Sequence, residues 1–152
     1  MKKQKGFSLI ELLIVVAIIL IIAAIAIPNL MRARIAANES SAAGSMRTIV
    51  TAEISYNSTY QIGFGNLAVL GGTSPCSASS TTACLIDNVL ASGTKSGYVF
   101  TVTTSGTPAA LYTVNGDPQN SQTGQRHFYS DQSGVIRFNV SAVATATDGP
   151  LQ

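Results

Sequence analysis

Residues 12–27 form sixteen consecutive apolar positions, and between Phe7 and Ile27 only Ser8 and Glu11 break the run. As a helix rising 1.5 Å per residue, those 21 residues extend about 31 Å, the thickness of a bilayer's hydrocarbon core. Beyond Pro28 the apolar positions recur three and four apart instead, giving a stripe of Ile35, Ala42, Ala43, Met46, Ile49, Val50, Tyr56 and Tyr60. That spacing predicts an amphipathic helix whose one face is covered by other elements. Glu53 projects near the stripe and is expected to be partly buried and hydrogen-bonded. Pro28 lacks a backbone N–H and crowds the preceding turn, so it is expected to kink the helix. Gly63 suits a left-handed position just past the helix end. From Phe7 to Tyr60 such a helix is about 80 Å long, so its apolar half needs a bilayer or neighbouring helices around it.

The period changes from 3.6 to 2 in the second half. Residues 98–103 and 111–114 alternate apolar and polar, and two further strands are expected over 126–130 and 135–140, joined by Asp131-Gln132-Ser133-Gly134 as a tight turn. Residues 63–97, rich in Gly, Ser and Thr, show neither period and are expected to be a long connecting loop, with no second core-forming segment. The pattern predicts an α+β fold: a long N-terminal helix, half transmembrane and half amphipathic, packed on a small antiparallel sheet. Its parts are a leader at 1–6, an apolar helix at 7–28, an amphipathic helix at 29–62, the loop at 63–97, and the sheet with a C-terminal tail at 98–152.

Charge sharpens the reading of the N-terminus. Only 11% of the 152 residues are charged, and the net charge of +2 is matched by Lys2, Lys3 and Lys5, all ahead of the apolar run, against Glu11. From Pro28 onward six basic residues balance six acidic ones, without the clustered basic surface that nucleic acid requires. The lysines favour a cytoplasmic N-terminus with the body outside the cytoplasm. Ala24-Ile25-Ala26 imitates a signal-peptidase site, but the apolar run exceeds the usual 7 to 15 residues of a secretory signal. Glu11 remains to be explained, because a carboxylate in the bilayer centre costs roughly 2.5 to 3.5 kcal/mol, and less near the interface. Either it reaches the headgroups, or a cation compensates it. A cut between Gly6 and Phe7 would create an α-amine four residues before Glu11 and supply that cation.

The segment Lys2-Lys3-Gln4-Lys5-Gly6 followed by Phe7-Ser8-Leu9-Ile10-Glu11-Leu12, with Pro28 closing the apolar run, resembles the prepilin signature of type IV pilins and the related pseudopilins of type II secretion. The resemblance is strong over about the first 35 residues and architectural beyond them. It implies cleavage after Gly6 by a membrane prepilin peptidase, N-methylation of Phe7, and assembly into a helical filament in which Glu11 and the Phe7 amine set the register. The implied partners are other copies of the chain, the peptidase, an inner-membrane assembly platform and, before assembly, membrane lipid. The implied location is the bacterial inner membrane first, then an extracellular filament or a periplasmic pseudopilus.

Candidate chemistry elsewhere is sparse. Cys76 and Cys84 are the only cysteines, and outside the cytoplasm a disulfide between them is the economical expectation. The single histidine, His127, has no Cys or His at metal-ligand spacing and reads as a strand side chain. Gly93-Thr94-Lys95-Ser96 lacks the Gly-Lys adjacency of a phosphate-binding loop, no G-x-S-x-G elbow occurs, and Asp117 with Asp131 lacks EF-hand spacing. The expectation is a non-enzymatic structural subunit with no catalytic residues, metal or cofactor: a pilin, with a pseudopilin or a membrane-anchored periplasmic binding module as alternatives.

Overall fold

The computed structural model describes residues 6–151; Lys2, Lys3 and Lys5 lie outside the described residues. The chain forms two compact units, 1–34 and 35–152. Helix α1, Leu9–Tyr60, supplies almost all of the first unit and the opening helix of the second. Pro28 lies inside α1, which runs without interruption on both sides of it.

The second unit is a helix packed on a sheet. Strands β1 (Thr94–Lys95), β2 (Tyr98–Ser105), β3 (Leu111–Pro118), β4 (His127–Asp131) and β5 (Arg137–Asn139) follow one another in spatial order, every neighbouring pair antiparallel. The fold is therefore α+β, a long N-terminal helix with a five-stranded antiparallel sheet. Tyr98 and Phe100 from β2, Tyr112 and Val114 from β3, and Phe128 from β4 point inward, and Ala42, Ala43, Met46, Ile49, Ala52 and Tyr56 meet them from α1. Small side chains on the helix let it approach closely. Gly116, opposite Phe100 in the register, serves the same purpose, since a Cβ there would sit 3.1 Å from the Phe100 ring and 3.2 Å from Met46 Sδ.

Several boundaries differ from the sequence reading. The helix ends at Tyr60, not near 62–63, and Gln61 takes the left-handed conformation (φ 54°). Gly63 (φ 97°) bridges to Ala109, whose backbone a Cβ at Gly63 would strike. Ile35 and Tyr60, at the ends of the stripe, are half-buried rather than core. The third and fourth expected strands shift to 127–131 and 137–139, because the Asp131–Gly134 turn, closed by Gly134 N–H to Asp131 O at 2.9 Å, continues as irregular backbone before pairing resumes.

Segment 63–97 is the main correction, for it is folded and carries core. Helical turns α2 (Leu67–Leu70) and α3 (Asn88–Ala91) are N-capped by Asn66 and Asp87, whose side chains accept the N–H groups of Val69 and Leu90 at 3.0 Å. Leu70 and Leu90 are fully buried, with Ala83 and Ile86 beside them. A Cys76–Cys84 disulfide, Cα to Cα 6.1 Å, closes the most exposed part of the segment. At the far end of the chain, residues 149–151 return along β5, with Phe138 N–H donating to Gly149 O at 3.1 Å and Leu151 N–H to Ile136 O at 2.7 Å.

Candidate functional site

Gly6, Phe7 and Ser8 precede α1, and Ser8 stands in the N-cap position immediately before Leu9. Glu11, three positions into the helix, turns back so that its Oε2 accepts the Ser8 N–H at 2.9 Å, while Leu12 N–H donates to Ser8 O at 3.2 Å. This is the reciprocal half of a capping box, satisfying one of the donors a helix start leaves open. A carboxylate in the first turn also complements the helix dipole, worth typically 0.3–1 kcal/mol. Glu11 thus has local work that the sequence reading omitted, although Ser8-x-x-Glu11 is the signature of such a cap. The geometry also brings the carboxylate to the nitrogen immediately following that of Phe7. Consecutive Cα atoms lie about 3.8 Å apart, so an α-amine at Phe7 would come within ion-pairing range with little rearrangement.

Residues 12–27 are all apolar and, Ala23 apart, exposed. Phe7 is 85% exposed, Leu13 59% and Ile21 63%, and an 18-residue window of α1 reaches a mean hydropathy of 3.3 with none of it buried. Taking one Leu, Ile or Val side chain out of water stabilises by roughly 1.5–3 kcal/mol. The exposed helix is therefore a large source of association free energy, directed at lipid or at other helices. Pro28 follows the last residue of the run.

The second unit holds its polar groups in clips. Glu39 on α1 accepts the N–H of Gln125 at 2.9 Å and of Arg126 at 3.3 Å, with the Arg126 guanidinium 3.5 Å away and stacked 5.0 Å from the Phe138 ring centre. Asp148 accepts from Thr145 N–H at 2.6 Å and Asn139 Nδ2 at 2.8 Å, which holds its carboxyl below the usual range. Lys95 donates to Asp87 at 2.9 Å, and this bond lowers the Asp87 pKa. Asp117 and Asp131 are not brought together as a pair. Asp131 accepts Ser133 N–H in its turn, and Asp117 sits 2.6 Å from His127 Nδ1 across β3 and β4. Their strand register makes that contact, and ten residues of sequence separation gave no sign of it.

Glu53 is not partly but fully buried. Its Oε2 accepts Gly65 N–H at 2.9 Å, while among the described residues Oε1 and the neighbouring Tyr112 hydroxyl have no partner. Burial pushes its carboxyl up to about 7, with the Gly65 bond opposing the shift.

Comparison with known proteins centres on the N-terminal segment. The prokaryotic N-terminal methylation motif matches residues 1–27. The chain is similar to the type IV wide pilus major component PilA4 of Thermus thermophilus, 48% identical over 66 residues, covering 41% of this chain and 44% of that protein. It is also similar to the type IV major pilin protein PilA of Myxococcus xanthus, 46% identical over 54 residues, covering 36% of this chain and 24% of that protein. The match thus spans less than half the length of either curated relative. No solved structure matches the chain.

Proposed function

We propose, from the premise that this chain is a type IV pilin by its N-terminal segment, that it is the structural subunit of a pilus-like extracellular filament, built from copies stored in a membrane. The observation that carries the reading is the pairing of a methylation-motif N-terminus with an apolar helix left bare in the single chain. In the precursor, the leader ends at Gly6, whose missing side chain lets the backbone enter a membrane peptidase, and Phe7 becomes the methylated N-terminus. The inner membrane holds the helix with its N-terminus on the cytoplasmic side. An assembly platform then draws the subunit out, and residues 12–27 exchange lipid contacts for contacts with neighbouring helices. Both environments are apolar, so the exchange changes burial little and assembly is reversible when driven.

Glu11 gives the process its register. A carboxylate in an apolar surround is destabilised unless paired, and the Phe7 α-amine supplies the complementary charge. Its present position beside Ser8 N–H, 2.9 Å away, favours that pairing in the same chain or with the Phe7 of an adjacent copy. The rest of the molecule does no chemistry in this reading: it takes no cofactor and acts on no substrate. Intact-mass analysis of protein from sheared surface filaments tests the proposal. A species beginning at Phe7 and heavier by one methyl group supports it. A chain still beginning at Met1 in cells that contain the peptidase leaves the membrane-anchored module, and a processed chain that is absent from filaments but needed for secretion makes it a pseudopilin.

A further inference from the structure

Beside β4 lies a cavity of about 420 Å³, lined by Pro118, Asn120, Ser121, Gln125, His127 and Val140. Its size is within the range of small-molecule sites, roughly 300–1,000 Å³. The loop that forms most of its wall is fixed from below. Asn38 Nδ2 donates to Thr123 O at 2.9 Å, Glu39 holds the N–H groups of Gln125 and Arg126, and the Tyr98 hydroxyl donates to Arg126 O at 2.9 Å. Asn120 and Thr123 close the loop on itself through Asn120 N–H to Thr123 Oγ1 at 3.2 Å. Two elements, α1 and β2, thus pin a connection that is otherwise polar and at the surface, so little ordering remains to be done when a ligand enters.

The groups presented to the cavity share one chemical character. His127 Nδ1 is taken by the Asp117 carboxylate at 2.6 Å, which leaves Nε2 as the ring nitrogen open to a ligand. Asn120 uses its Oδ1 for Gln122 N–H, leaving its NH₂ as a donor. The Ser121 hydroxyl and the Gln125 amide each both donate and accept, and neither has a partner among the described residues. Pro118 and Val140 add apolar wall. The Asp117 carboxylate is engaged with the imidazole, and the lining itself holds no Lys, Arg, Asp or Glu. A ligand whose every polar group both donates and accepts, on a ring with apolar C–H faces, would have each group matched.

We infer that this cavity is a binding site for a neutral sugar, holding vicinal hydroxyls between His127 Nε2, Ser121 and the amides of Asn120 and Gln125. The inference stands on the second unit alone, so its failure leaves the filament reading untouched. The test uses the full-length chain in a detergent without a sugar headgroup, dodecylphosphocholine, and saturation-transfer NMR with the methyl glycosides of glucose, galactose and mannose and with N-acetylglucosamine. At least one of these is expected to receive saturation, with a dissociation constant on the order of 1 mM. The double substitution Ser121→Ala with Gln125→Ala, neither side chain having a hydrogen-bond partner among the described residues, is expected to leave the near-UV circular dichroism unchanged and to weaken binding about tenfold, the worth of two ordinary hydrogen bonds. His127→Gln is expected to weaken it likewise. No transfer to any of the four sugars at about 10 mM, far above the expected constant, overturns the inference. So does transfer that the double substitution leaves intact, a preference for sialic acid over the neutral sugars, or a response of the His127 ring to Zn²⁺ with none to sugar.

Discussion

Replacing Glu53 by Gln should make the headpiece more stable at pH 8 and leave it nearly unchanged at pH 4.5. The parent carboxyl is raised from 4.5 to about 7 by burial. Below pH 4.5 it is protonated whether the chain is folded or not, and contributes no pH dependence. Between 4.5 and 7 the folded chain keeps the proton that the unfolded chain releases, so folding stability falls as pH rises, by about 1.4 kcal/mol per unit. Above 7 both states are ionised and the loss is complete, on the order of 3 kcal/mol. Glutamine copies the protonated carboxyl, with one oxygen for Gly65 N–H and a donor where Oε1 now stands, and does not titrate. The groups facing Glu53 do not blur the window: Tyr56 on its own helix is raised, Tyr112 on β3 is raised to about 12, and Asp131, which acts on Tyr112, is lowered. Urea unfolding of the detergent-solubilised chain, followed by near-UV circular dichroism, reports the headpiece alone, since all five tyrosines lie between 56 and 129 and tryptophan is absent. Subtracting variant from parent removes every other titration. A stability gap that stays constant from pH 5 to pH 8 would refute the reasoning.

Three other outcomes are expected. Glu11→Ala should insert into membranes more readily than the parent yet fail to polymerise efficiently, and filaments at parental yield, counted by electron microscopy, would end the charge-pair account. Gly124→Ala should destabilise by about 1–3 kcal/mol, because the new Cβ collides with the Tyr98 hydroxyl; Tyr98→Phe in the same chain should recover part of the loss, and urea titration of the single and double variants decides. Cys76 and Cys84 should resist thiol labelling in exported protein and react in protein made in a reducing cytoplasm, with reduction costing roughly 2–3 kcal/mol; labelling of both in untreated filaments would contradict the bridge.

The N-terminal half was legible without coordinates because its signals are local. An unbroken apolar run, a proline and a three-to-four spacing of Ala, Met, Ile and Tyr follow from helix geometry alone, and a period of two over 98–103 and 111–114 marks the first parts of the strands that extend to 105 and 118. The capping role of Glu11 is equally local, carried by the Ser8-x-x-Glu11 spacing. Segment 63–97 failed the same test for a physical reason: each helical turn is four residues long, too short to establish a period, and each depends on one cap and one buried leucine. Burial of Glu53 needed the approach of Gly65 and Tyr112, and its raised pKa exists only once water is excluded from both. The Asp117–His127 pair came from strand register, and the polar cavity beside it from α1 residues 38 and 39 pinning a loop more than eighty positions away. Periodicity and spacing specify which faces are buried, whereas the pairing of particular polar groups is decided where distant elements meet, since a hydrogen bond or a desolvated charge depends on distances that no local pattern encodes.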